Sequence, residues 1–412
     1  MKIIPDKNNI NFDPHGSNPY LWKFWGVLPL YPYNQRRTVR QEVVKDTIWT
    51  FDQIQGVFYV VVPIRMTVIR LAQGGLLVYA PVAPTQECIK LVNELVALHG
   101  DVKYIILSTV SGLEHKVFVG PFAREFSQAR VFVAPGQWSF PLNLPLSWLG
   151  LPGNRTQILP EDPHETPFSD EFDYAILGPI NLGLGKFGEV ALLHKQSRTL
   201  MVTDTIVSVS VDSPAIIQLD PFPLLYHAQE KSGDTVPDNL QNRRKGWRRI
   251  TLFAFYFRPS AVDVPPWKDI WQDAKNVSQR NLRNYFGFFP FHWKPDWEES
   301  YELLTRGGEI FVAPVLRTLI LNRAPQVTIN WADRVAKWDF AWVIPCHFDA
   351  PISVTPQQFR RAFSFLEKGS TDYLPHNTKV EEDLQVLRDI DQGLNNWNIV
   401  PPALPNPNSR VR

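Results

Sequence analysis

A carboxylate and an imidazole stand side by side at Glu114 and His115, shortly after residues 104–107, an apolar run of buried-strand length. The run breaks into small and polar residues over 108–112, and loops leaving strand ends are where α/β folds place their chemistry. An acid beside a histidine suits metal ligation or proton transfer. Two more such side chains close predicted strands. Asp204 stands at the end of the strand over 199–203, and His347 follows a strand over 341–344. Cys346 precedes His347 and offers a thiolate–imidazole pair. Adjacent residues of an extended segment point to opposite faces, so a buried Cys packing as a small hydrophobe is the simpler reading. The other histidines are scattered. His194, next to Lys195 at a strand end, reads as a solvated turn residue.

These residues need a scaffold of alternating strands and helices. Residues 47–51, 58–62 and 66–71 are rich in Val, Ile and aromatics and read as strands. Gln73, Gly74 and Gly75 make a turn, and 76–79 is the return strand. Thr85 can cap a helix running to about His99, with Gly100 ending it. Residues 117–126 form a short helix interrupted at Gly120 and Pro121, then 130–134 a strand. The Pro-rich stretch 142–170 reads as loop. Strands follow at 172–177, 189–194 and 199–203. Helices are expected over 268–285, 297–306, 309–322 and 356–366, and the charged end reads as a mobile tail.

Composition bounds the partners. The chain has 412 residues, a formal net charge of +1, 44% hydrophobic and 20% charged residues. That is a globular chain with a large core, and bulk charge proposes neither nucleic acid nor a membrane surface. Two cysteines make no disulfide framework, which points to a reducing compartment. No apolar run approaches the ~18 residues of a bilayer span, and the amino terminus looks like neither a signal nor a transit peptide. The expectation is a soluble cytoplasmic protein. The basic run Arg243, Arg244, Lys245, Arg248 and Arg249 around Trp247 either meets an anionic group or is a solvated turn paired to nearby acids. The aromatic cluster 285–293 is either core packing or a docking surface for a protein partner.

The order strand–turn–strand–helix–strand–polar loop, followed by strands ending in Asp and later in His, resembles the metallo-β-lactamase superfamily. The stretches RMTVIRLAQGGLLVYAPVAPT and ILSTVSGLEH are similar to a cyanobacterial and plant family of unknown function with that fold. The resemblance implies an α/β (α+β) fold, a four-layer αββα sandwich. It divides the chain into an arm (1–39), the first part of the sandwich (40–210), a helical insertion rich in aromatics and Pro (211–340), a closing part (341–370) and a tail (371–412). A plant source would make the chloroplast stroma the alternative location.

The superfamily loop reads Thr-His-x-His-x-Asp-His. Here it spans Thr109 to His115, with Val110 and Gly112 in place of the first two histidines and Glu114 and His115 retained. Alignment on GEVAL puts Gly185 at a third histidine position. Asp204 matches the aspartate that bridges two metals, and His347 the late histidine. The losses fall on one metal site, and Glu114, His115, Asp204 and His347 remain as a candidate set for the other. Such a set could hold one Zn, Fe or Mn ion, with Glu114 as ligand or general base and Asp204 as the second catalytic carboxylate. The implied function is a possible single-metal hydrolase acting on an unknown small molecule. The alternative is a non-catalytic member in which these residues hold one another by hydrogen bonds and the aromatic insertion binds a partner.

Overall fold

A computed structural model describes residues 18–22, 31–110, 114–137, 145–278, 280–367 and 377–404. Residues 1–17 and 23–30 of the amino-terminal arm therefore lie outside the described residues. The first sheet contains β1 (Val39–Val44), β2 (Ile48–Val57), β3 (Val60–Arg70), β4 (Leu76–Tyr79), β5 (Val102–Leu107), β6 (Arg130–Val133) and β7 (Thr156–Ile158), neighbours in that order. β1 to β4 run antiparallel. From β4 onward the pairing is parallel, so crossovers are needed. α1 (Gln86–His99) and α2 (His115–Glu125) supply two of them. The Thr85 side chain accepts the Cys88 amide and caps α1, and Gly100 ends it at φ 94°, as the sequence predicts.

The second sheet begins with β8 (Phe172–Asn181), β9 (Lys186–His194) and β10 (Thr199–Val202). A long, mostly helical stretch follows: α3 (Ala215–Gln218), α4 (Phe222–His227), α5 (Leu240–Tyr256), β11 (Val262–Asp263), α6 (Trp267–Asn276), β12 (His292–Trp293), α7 (Trp297–Thr305), α8 (Pro314–Leu319) and α9 (Pro325–Val335). The chain then returns as β13 (Trp342–Pro345) and β14 (Ile352–Ser353), and finishes with α10 (Pro356–Arg361) and α11 (Thr378–Asn396). The strand order is β14-β13-β10-β9-β8, with β10 and β13 parallel.

Three apolar cores separate four layers. Phe118 and Phe122 of α2 and Val92 of α1 pack on Phe51, Val78 and Ile105 of the first sheet. Tyr79, Ile106 and Phe132 meet Tyr174, Leu192, Met201 and Ile344 between the sheets. The outer face of the second sheet, with Ala175, Leu200 and Val343, is covered by Trp331, Phe359 and Phe363, in a core that extends to Trp247 and Phe255 of α5. The αββα sandwich expected from the sequence is the architecture of the chain.

Several elements differ from the sequence reading. The basic run is part of the 17-residue helix α5, not a turn. Its cations pair with acids from elsewhere in the chain: Arg244 with Asp212, Lys245 with Glu230, and Arg248 with Glu298. The charged end is not a free tail. Val380, Leu384 and Leu387 of α11 are buried against the helical layer. The Pro-rich stretch contains β7, and the helix expected over 309–322 is reduced to α8 and a 3-10 turn at Leu321–Arg323, with Phe311 pairing instead with Val207. Most of the aromatic cluster packs half-buried against the helical core, and of its aromatic side chains only Phe289 is buried. Phe289 lies against Tyr226 and Phe291 against Phe253, while Phe286 is exposed.

Candidate metal centre

Three strand ends deliver the four candidate residues. β5 ends at Leu107, and the chain re-enters helix at His115, the first residue of α2, with Glu114 at its N-cap. Gly120 lets this helix approach the Gly150 carbonyl, where a Cβ would stand 2.4 Å from the oxygen. β10 ends at Val202, two residues before Asp204, and β13 ends at Pro345, two before His347. Because β10 and β13 are parallel neighbours, Asp204 and His347 emerge at the same end of the sheet.

Both imidazoles are tied from behind. Nδ1 of His115 donates to the Pro81 carbonyl (3.0 Å), and Nδ1 of His347 to the Pro63 carbonyl (2.9 Å). Each ring therefore turns Nε2 inward. The Nε2 of His347 lies 3.1 Å from Glu114 Oε2 and 3.0 Å from Asp204 Oδ1. The Nε2 of His115 is buried without a hydrogen-bond partner. Among the described residues, Glu114, His115 and His347 form a group whose donor atoms all lie within 4.8 Å of one another, a geometry that could hold a metal ion. Asp204 is not in that group and joins through His347.

Charge follows this geometry. Burial alone would raise the Glu114 carboxyl, but the charge and hydrogen bond of His347, with His115 and Arg36 behind them, hold it near 2. Burial would lower His347, and the two carboxylates outweigh it and hold the ring well above its ordinary value. His115 goes the other way. Burial lowers it, and neighbouring Glu114 only partly compensates. One ring is thus an imidazolium between two carboxylates and the other a neutral imidazole with a bare acceptor nitrogen.

Two residues that the sequence reading passed over position this set. Glu189, in β9, is fully buried, and its carboxylate accepts the amides of Thr203, Asp204 and Thr205 and the Thr205 hydroxyl, all within 3.0 Å. It fixes the backbone that presents Asp204. An acid at the head of the apolar run VALL was the available signal. Arg65 of β3 grips Asp52 with Nε and Nη2, and donates to the carbonyls of Pro345 (2.8 Å) and Phe348 (2.9 Å), one on each side of His347.

The positions read as lost ligands contribute no donors. Val110 is buried; its amide donates to the Gly188 carbonyl at 3.1 Å, and a Cβ on Gly188 would stand 2.9 Å from Val110 Cγ2. Apolar contact therefore fills this flank. Gly185 accepts the Leu182 amide in the β8–β9 turn, and Phe187, two residues on, lines the cavity over the centre. Gly112 lies outside the described residues. His194 is buried rather than solvated, and it pairs with Thr199, at the opposite end of β10 from Asp204. Cys346 is a free, buried thiol that burial and the nearby Asp204 push well above the ordinary range, so it forms no reactive pair with His347.

A cavity of about 340 Å³ opens over the four residues. Thr109, Glu114, His115, Thr203, Asp204 and His347 form its polar end, and side chains such as Val62, Phe255, Val315 and Leu316 form the rest of its wall. No described helix is long and apolar enough to cross a membrane.

Comparison with known proteins gives partial structural matches and one family match. The metallo-β-lactamase DIM-1 exposed to ceftazidime aligns at 12% identity and TM-score 0.31, covering 43% of this chain and 74% of that one. A metallo-β-lactamase from Pontibacter korlensis aligns at 11% and 0.31, covering 55% and 89%. The metal-soaked Flv1 flavodiiron core from Synechocystis sp. PCC6803 aligns at 8% and 0.42, covering 91% and 73%. No curated protein matches the sequence. Residues 45–365 match the family described as Domain of unknown function (DUF4336). That span takes in the first sheet from β2 onward, the whole second sheet, all three strand ends and all four candidate residues, and the chain belongs to this family.

Proposed function

We propose that this chain is a single-metal protein on a metallo-β-lactamase-like sandwich, holding one divalent ion at Glu114, His115, Asp204 and His347, with hydrolysis as its reaction class. The observation that carries this reading is the pair of histidines, both with Nδ1 tied to a main-chain carbonyl, beside a buried His115 Nε2 that has no partner. Metal-binding histidines are held in this way, because the outer hydrogen bond fixes the tautomer and aims the free nitrogen. Two imidazole nitrogens and two carboxylates suit Zn²⁺, Fe²⁺ or Mn²⁺. A bound ion would supply Lewis acidity at the polar end of the cavity. The chain's own residues do the rest. Glu114 and Asp204 balance the ion's charge, Glu189 and Arg65 hold the loops, and the apolar wall offers a surface for the body of a substrate.

Two observations favour a second reading, a non-catalytic member. The His347 imidazolium already satisfies Glu114 and Asp204, and Val110 closes the flank against Gly188. In that reading 211–340 is an insertion in a sandwich made of 40–210 and 341–370, and the partner docks through 285–293 at its exposed side chains, Phe286 and His292. For either reading we place the protein in the cytoplasm, or in the chloroplast stroma of a plant, in keeping with two free cysteines. Recovery from a periplasmic or membrane fraction would overturn that placement.

The deciding experiment is metal content by mass spectrometry on protein purified without an affinity metal, beside a His115→Ala, His347→Ala double variant. About one equivalent in the parent and none in the variant is expected. No metal in the parent, even after incubation with Zn²⁺, Fe²⁺ and Mn²⁺ salts, would sink the one-ion reading and leave the second.

A further inference from the structure

The cavity over the centre has a polar end and an apolar body, and the body is built largely by the helical stretch between β10 and β13. Phe255 comes from α5, Val315 and Leu316 from α8, and Ile320 from the residue that ends α8. This wall is coupled to the centre. Phe348, the residue after His347, stacks on Phe255 with ring centroids 4.6 Å apart and packs against Trp247 at 5.7 Å. No Lys or Arg lines the cavity among the described residues, and the undescribed loop 111–113 contains neither type. With one divalent ion, two carboxylates and two neutral imidazoles, the polar end sums to zero. Arg36 acts on Glu114 from behind and does not line the cavity, so no cation at the cavity surface among the described residues meets a dianionic head such as a phosphate ester.

We propose that the cavity takes a small molecule with an apolar alkyl or aryl body and one neutral or singly charged metal-binding end, the body lying against α5 and α8. This inference rests on the one-ion reading above and names the substrate class of that site. A volume of about 340 Å³ is at the small end for a ligand pocket, which fits a single short chain or ring.

The test is calorimetry on the full chain loaded with Zn²⁺, its metal content measured first, titrated with octanohydroxamic acid, acetohydroxamic acid and inorganic phosphate. The two hydroxamates share a head and differ in the length of the body. The octyl compound is expected to bind at least tenfold tighter, the gain that about two buried methylene groups give at about 0.8 kcal/mol each. Phosphate is expected to bind weakest. In a Val315→Asp variant that retains its metal, the difference between the hydroxamates should vanish. Leu316→Gln is the second variant should Val315→Asp fold poorly. Equal binding of the two hydroxamates, or tightest binding of phosphate, with metal in place, overturns the inference and leaves the one-ion reading standing. A chain that takes up no metal removes both.

Discussion

Glu189 does more for the centre than its place in an apolar strand suggests. Its carboxylate is fully buried and accepts three main-chain amides and a hydroxyl from residues 203–205. A Glu189→Gln substitution keeps the shape but turns an amide nitrogen toward N–H donors. It should cost on the order of 2–4 kcal/mol, since buried donors left unsatisfied bear their full desolvation penalty. We expect a lowered urea midpoint and, if the one-ion reading holds, reduced metal occupancy. An unchanged midpoint would show that the 203–205 turn holds itself. At this scale the sequence is partly legible. Glu114, His115, Asp204 and His347 each follow a strand end and could be read in order along the chain. The parts that orient them left no pattern, because Pro63 and Pro81 act through their carbonyls and any residue type has one. Arg65 and Glu189 looked like single interruptions of strands.

Where elements meet, Val110 packs closely on β9. An added Cβ on Gly188 would stand 2.9 Å from Val110 Cγ2 and 3.2 Å from the Leu177 carbonyl. Gly188→Ala should therefore destabilise by about 1–3 kcal/mol, the usual cost of overpacking. Combined with Val110→Ala, it should cost less than the sum of the two single changes, and additivity within about 0.5 kcal/mol would mean the clash lies elsewhere. A second expectation concerns α11, where Leu387 is fully buried. Leu387→Ala should cost about 2–5 kcal/mol by thermal or urea unfolding, whereas a loosely attached helix would lose almost nothing. Helix α1 was readable because its cap, apolar stripe and terminal glycine are all local. α5 was not, because its Arg and Lys look solvated until the acids at 212, 230 and 298 are brought beside them. α11 was misread for a related reason: its apolar residues, among them the buried Val380, Leu384 and Leu387, are interspersed with charged and polar ones.

At the scale of the whole molecule, buried titratable groups set how stability answers to pH. His227 is fully buried, and burial pushes it down to about 3. It stays neutral in the folded chain, while the unfolded chain takes up its proton near pH 6.5. Its contribution is complete above about 6.5 and is lost as pH falls toward 3, at up to about 1.4 kcal/mol per unit. Glu189 and Asp349 oppose this, because burial raises their carboxyls to about 7 and about 6. The difference between variants is therefore the useful measure. Relative to His227→Asn, the parent should lose stability between pH 7.5 and 5.5 in urea unfolding. A gap that stays constant would mean that His227 is not held neutral.

The parallel pairing of β10 with β13 has a consequence in time. β10 waits unpartnered on that edge while the whole helical stretch is synthesised, and its neighbour arrives only with residues 342–345. A nascent chain that has emerged as far as residue 340 already carries Glu114, His115 and Asp204, yet it has neither His347 nor the strand that delivers it. Contacts between segments so distant in sequence form late. The centre is thus a marker of completed biogenesis: a chain stalled before β13 has every other part of the centre but cannot close it.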